Sequence, residues 1–135
     1  MRGVLADNNI LGQFELLKHL LHAEWRGEIW SSLNLTMPAF SDLALDEKAT
    51  DKDVWLACQK QQLVLITANR NEESNDSLQT TIRTLNRSDS LPVLTLADPD
   101  RVLREKTYAA VVADRIVEYL FDIDNYRGTG RLFVP

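Results

Sequence analysis

Short apolar runs alternate along this chain with stretches in which apolar residues recur every three or four positions, the pattern of buried strands separated by amphipathic helices. The first run, Val4-Leu5-Ala6, ends at Asp7. Ile10, Leu11, Phe14, Leu17, Leu20 and Leu21 then follow at helical spacing and predict about four turns with one face on the sheet. Gly27 interrupts that pattern, and Glu28 to Leu33 predicts a weaker second strand. Residues 35–49 contain Pro38 and mixed polarity and predict a loop or a short helix. Thr50 stands three residues before Asp53 in a capping-box-like start, and Val54, Trp55, Ala57, Cys58 and Gln61 continue as a helix into the strand Leu63 to Thr67.

Residues 69–77 predict a loop, and Leu78, Ile82 and Leu85 mark the next helix. Pro92 to Ala97 predicts a strand that meets Asp98-Pro99, a good N-cap followed by a residue suited to the first helical position. Val102, Val112, Ile116 and Leu120 then place one C-terminal helix from Arg101 to about Asp122. Strand and helix in alternation predict an α/β sandwich with parallel strands and right-handed crossovers. The domain spans 1–122, and 123–135 is read as a tail. Within it Arg127 to Arg131 is a flexible basic stretch, and Leu132 to Pro135 is apolar enough to dock on the domain or on a second subunit.

Composition narrows this picture. A chain of 135 residues supports one core, and 44% hydrophobic with 26% charged residues is ordinary for a globular protein. A net charge of -5 argues against strong non-specific adhesion to nucleic acid, though not against a few local arginine contacts. Cys58 is the only cysteine, so no internal disulfide forms, which fits a reducing cytoplasm. No stretch approaches the ~20 apolar residues of a membrane span, and the start lacks the apolar core of a signal peptide.

Candidate chemistry gathers at two strand exits. Asp7 leaves the first strand, and Asn69, Arg70 and Asn71 leave the strand Leu63 to Thr67. Each residue also has an ordinary structural role open to it: Asp7 as a helix cap, Asp53 as a negative charge at a helix start, and Asn69 and Asn71 as turn residues. Asp98 is better explained as a cap than as a ligand. His19 and His22 lack a second ligand pair for zinc. Trp25, Trp30 and Trp55 have no basic groove around them and are assigned to core or interface. A phosphoryl-transfer aspartate site wants a second Asp two positions after the first, where position 9 is Asn, and a dinucleotide site wants a glycine-rich turn, where only Gly12 stands.

Asp7-Asn8-Asn9 after the first strand, the helix start Thr50-Asp51-Lys52-Asp53-Val54, and the block Leu63 to Asn71 together resemble the compact PIN-like family related to toxin ribonucleases, over about the first hundred residues. The resemblance implies a three-layer α/β sandwich with a four or five stranded, mainly parallel sheet. It also implies metal-dependent hydrolysis of RNA phosphodiester bonds with Mg²⁺ or Mn²⁺. Carried over by position, Asp7 and Asp53 are the implied catalytic and metal-binding acids, with Asp51 as a neighbour able to substitute, and Asn69 is a third, neutral ligand. Asn69, Arg70 and Asn71 are the implied substrate contacts, and Glu72, Glu73 and Asp76 are further acids in the following loop. Asn69 and Asn71 stand where the family usually has Asp. The expected function is therefore a metal-dependent ribonuclease, toxin-like and restrained by an inhibitory protein partner. The alternative is a PIN-like binding or assembly module that has lost its ligand carboxylates. A homodimer is the family-based expectation.

Overall fold

The computed structural model describes residues 1–135. Four strands, β1 (Gly3–Ala6), β2 (Leu63–Thr67), β3 (Val93–Leu96) and β4 (Arg131–Val134), form one all-parallel sheet in the order β1-β2-β3-β4. Every residue of β2 and β3 is buried, as a parallel sheet covered on both faces requires. Alternation along each strand splits the interior in two. Val4, Val64, Ile66, Leu94 and Leu96 point to one core, and Leu5, Leu63, Leu65 and Val93 to the other.

Helices α1 (Leu11–Leu21), α2 (Glu24–Leu33), α5 (Pro99–Arg104) and α6 (Lys106–Phe121) cover the first face. Helices α3 (Asp51–Gln61) and α4 (Leu78–Leu85) cover the second, completing three layers. None of these helices is long and apolar enough to cross a membrane.

A fifth chain segment touches the outer edge of β1. Thr36 N–H donates to the Arg2 carbonyl at 3.0 Å, and Val4 N–H donates to the Thr36 carbonyl at 2.9 Å, forming an isolated parallel bridge opposite Gly3. A Cβ on Gly3 would lie 2.1 Å from the Thr36 carbonyl oxygen, so this approach requires glycine. The chain therefore leaves β1 toward one side, returns past it, and continues through β2 to the other side. That reversal makes the β1/β2 boundary the switch point of a doubly wound sheet, where ligand crevices form beyond the carboxyl ends of the strands.

Four expectations are corrected. Residues 28–33, expected as a strand, are part of helix α2. Gly27 is needed there for close packing rather than as a breaker, since a Cβ would lie 2.4 Å from the His22 carbonyl oxygen. The single C-terminal helix is divided at Glu105, whose extended backbone (φ -127, ψ 109) lets α5 pack on α1 while α6 crosses both α1 and α2. The stretch 127–135, expected to dock on the domain or on a second subunit, docks on its own domain as an integral strand, since β4 pairs with β3 along its whole length and Val134 is fully buried, so the domain does not end at residue 122. Crossovers are not all of one hand. The β2-to-β3 and β3-to-β4 connections advance in the same direction but use opposite faces, so their hands are opposite and one departs from the usual right-handed rule.

Candidate functional site

Parallel strands bring their carboxyl ends to one edge, and there the exits of β1 and β2 meet the first turns of α3 and α4. Asp7 leaves β1 with its N–H still in the ladder, donating to the Ile66 carbonyl at 2.9 Å. Its carboxylate caps the following 3-10 turn by accepting the Asn8 N–H at 2.8 Å, and its second oxygen accepts the Thr67 hydroxyl at 2.7 Å. Thr67 Oγ1 in turn accepts the Asn69 N–H at 2.9 Å. Asn69 Nδ2 donates to Asp51 Oδ2 at 2.9 Å, and the same Asp51 oxygen accepts the Leu78 N–H at 3.1 Å. A continuous polar chain thus runs from Asp7 through Thr67 and Asn69 to Asp51 and the start of α4.

Electrostatics follow from this placement. Burial is the main cause raising the pKa of Asp7 above its ordinary value, and repulsion from Asp51 adds to it. The bonds from Thr67 and Asn8 act in the opposite direction by favouring the carboxylate. Cys58, beneath the site on α3, is pushed up to about 12 by burial, with the Asp7 charge contributing, and is an inert thiol at neutral pH.

Asp51, rather than Asp53, faces the strand exits. At 3.6 residues per turn, two positions along a helix rotate a side chain by about 200°, so only one of the pair can point inward. Thr50 caps α3 by accepting the Asp53 N–H at 3.1 Å, while the Asp53 side chain is exposed and has no hydrogen bond or ion pair.

Asn71 is a turn residue. Its Oδ1 accepts the Glu73 N–H at 2.9 Å, and its carbonyl accepts the Gln79 N–H at 3.2 Å. Asn69 Oδ1 accepts the Asn71 N–H at 2.8 Å, so both asparagines hold the loop. Arg70 donates to the Ala97 carbonyl and lies over the Phe133 ring, 5.5 Å from its centroid. Of the loop acids, Glu72 pairs with exposed Arg83 at 3.2 Å, and Glu73 and Asp76 are exposed. Asp98 caps α5 through the Arg101 N–H at 3.1 Å. His22 binds the Lys18 carbonyl at 2.7 Å and packs on Trp30.

Arg131, treated in the sequence as part of a basic tail, proves central. Its Nη1 donates to the Asn69 carbonyl at 2.8 Å and to Thr95 Oγ1 at 2.6 Å, and its Nε donates to Gln79 Oε1 at 3.1 Å. Its Nη2 is buried without a partner. Desolvation, helped by the nearby Arg70 charge, lowers its pKa. Thr67 and Arg131 carry no local signal in the sequence, since their roles depend on strand neighbours far along the chain.

The donor set can be tested against a hard cation. Each Asp7 oxygen accepts one hydrogen bond, and Asp51 Oδ1 accepts none, which leaves lone pairs on both carboxylates. One or two carboxylates with water suffice for a single Mg²⁺. No group of three or more His, Cys, Asp or Glu side chains is assembled as a metal site, and Asn69 faces Asp51 with its amide N–H, so Asp7 and Asp51 are the two charged donors left for an ion. No family model, no curated protein and no solved structure matches this chain.

Proposed function

We propose that the chain is a PIN-like, metal-dependent ribonuclease that uses a single Mg²⁺ or Mn²⁺. The observation that carries this reading is the hydrogen-bonded chain Asp7–Thr67–Asn69–Asp51, which holds two carboxylates at the sheet's switch point, the place where ligands bind in open α/β sheets. A cation bound there supplies charge neutralisation for the phosphoryl oxygens and an activated water. Asp7 and Asp51 would hold it; Thr67 fixes the Asp7 carboxylate, and Asn69 fixes Asp51. Arg70 supplies positive charge beside the strand exits for an RNA phosphate.

A second reading, the non-catalytic PIN-like module, is favoured by one specific observation. Asn69 closes the position of a third acid with neutral hydrogen bonds, and Arg131 holds its carbonyl, so Asn69 is satisfied without an ion.

Thermal denaturation with and without millimolar Mn²⁺, together with an RNA cleavage assay, separates the two. Wild-type protein is expected to be stabilised by Mn²⁺ and to cleave RNA, while Asp7→Asn and Asp51→Asn lose both responses and Asp53→Asn keeps them. Wild-type protein with no metal response and no cleavage sinks the enzyme reading and leaves the module. An inhibitory partner and a homodimer belong to the same proposal, and sedimentation at micromolar concentration tests the latter.

A further inference from the structure

A groove of about 650 Å³ lies between α1 and the segment 37–47, with β1 as its floor. Val4, Ala6, Leu11, Phe14, Met37 and Phe40 line it, and Leu11 and Met37 are 54% and 41% exposed. Its origin lies at a single residue. Thr36 begins a parallel ladder on the outer edge of β1, and the next donor in register would be residue 38. Residue 38 is proline, which has no N–H, so the ladder stops and the chain swings away. Asp7 N–H points to β2, so by alternation the Ala6 N–H points outward, as the Val4 N–H does toward Thr36. The groove therefore offers unused backbone hydrogen-bonding groups beside an apolar wall.

Its charge is one-sided. Between Arg26 and Lys48 the chain has no Lys or Arg, while Glu28, Asp42, Asp46 and Glu47 are acidic. Asp46 and Glu47 stand on the groove, and the only cation there, Lys18, is already paired with Glu15 at 2.7 Å.

We infer that this groove binds an extended segment of a partner protein that alternates apolar and basic side chains, added as a strand to the outer edge of β1. Backbone bonds to β1 supply register, apolar side chains fill the wall of α1, and basic side chains on the other face meet Asp46 and Glu47. The inference is independent of whether the strand-exit site cleaves RNA.

The test titrates the full chain with a blocked seven-residue peptide alternating lysine and valine, and with its glutamate-valine counterpart, following backbone amide shifts by NMR. The lysine peptide is expected to bind, with shifts centred on Val4 to Ala6 and Leu11, and the glutamate peptide is not. Ala6→Pro removes the outward donor without touching the β1/β2 ladder and should weaken binding about fivefold. Leu11→Lys, at an exposed position, should weaken it by a similar factor through the lost apolar contact and added like charge. Absence of lysine-peptide binding at millimolar concentration, equal binding of the two peptides, or indifference to both substitutions overturns the inference. Self-association of the chain that Ala6→Pro abolishes would also overturn it, by making a second copy the occupant.

Discussion

On one face of the sheet, α1, α2, α5 and α6 enclose a cluster of 20 buried residues. On the other, α3 and α4 enclose nine, and every helix-borne group of the strand-exit site comes from that thinner layer. The contrast separates two tasks. The thick face supplies most of the apolar burial, and it is tied further by Arg26 on α2, which pairs with Asp114 on α6 at 2.6 Å. The thin face positions polar groups. Asp51 begins α3, the Leu78 N–H begins α4, and a single carboxylate oxygen joins them. The site is thus also a clasp between the two helices that cover the smaller core.

The largest effect expected from this contrast is in the thick layer. Ile116→Ala, at a fully buried position, should cost about 3–4 kcal/mol in urea unfolding and leave the site's chemistry in place in the folded fraction. Ile82→Ala on α4 should cost less, about 2 kcal/mol, and should loosen the Leu78–Asp51 clasp, seen as faster amide exchange at Leu78. Equal costs, with Leu78 exchange unchanged, would break the distinction between the layers.

Asn69→Asp sharpens it from the electrostatic side. A third carboxylate beside Asp51 replaces a hydrogen bond with repulsion, so without metal the variant should lose about 1–2 kcal/mol. Mn²⁺ should then raise its melting temperature more than it raises that of the wild type. A variant as stable as wild type in a chelator would show that the clasp does not depend on the amide.

Asp7 gives a pH dependence of definite sign. Its folded-state pKa is raised above 3.8, so the folded chain holds that proton more tightly than the unfolded chain. The stabilisation is complete in acid, below the unfolded value, and is lost as pH rises through the raised folded value. Asp7→Asn should therefore flatten the fall of the melting temperature with pH above 3.8, even while it removes a proposed ligand. The smallest signal is an absence of reaction. Cys58, with its thiol at about 12, should resist iodoacetamide at pH 8 in the native protein and react once unfolded.

How much of this the sequence disclosed can be traced residue by residue. The Val4-Leu5-Ala6 and Leu63 to Thr67 runs declare themselves as strands because buried parallel strands need continuous apolar side chains. Asp7 and Asn69 were recognisable as neighbours, since parallel strands place their exits together. The helix at 24–33 was not readable, because only Arg26 and Trp30 are buried there and its apolar face is narrow. Nor was β4, whose four residues follow two glycines and gain strand character only from pairing with β3.

By itself, then, the sequence determined the alternation of strands and helices and the set of polar residues at the first two strand exits, because both follow from local periodicity and from the geometry of parallel strands. Only tertiary structure decided that Asp51 faces the site and Asp53 the solvent, that Arg131 returns from the far end of the chain to hold Asn69, and that Pro38 leaves an open edge on β1. Helix phase, long-range return and edge exposure depend on how elements are oriented against one another, and no local pattern of residues specifies that.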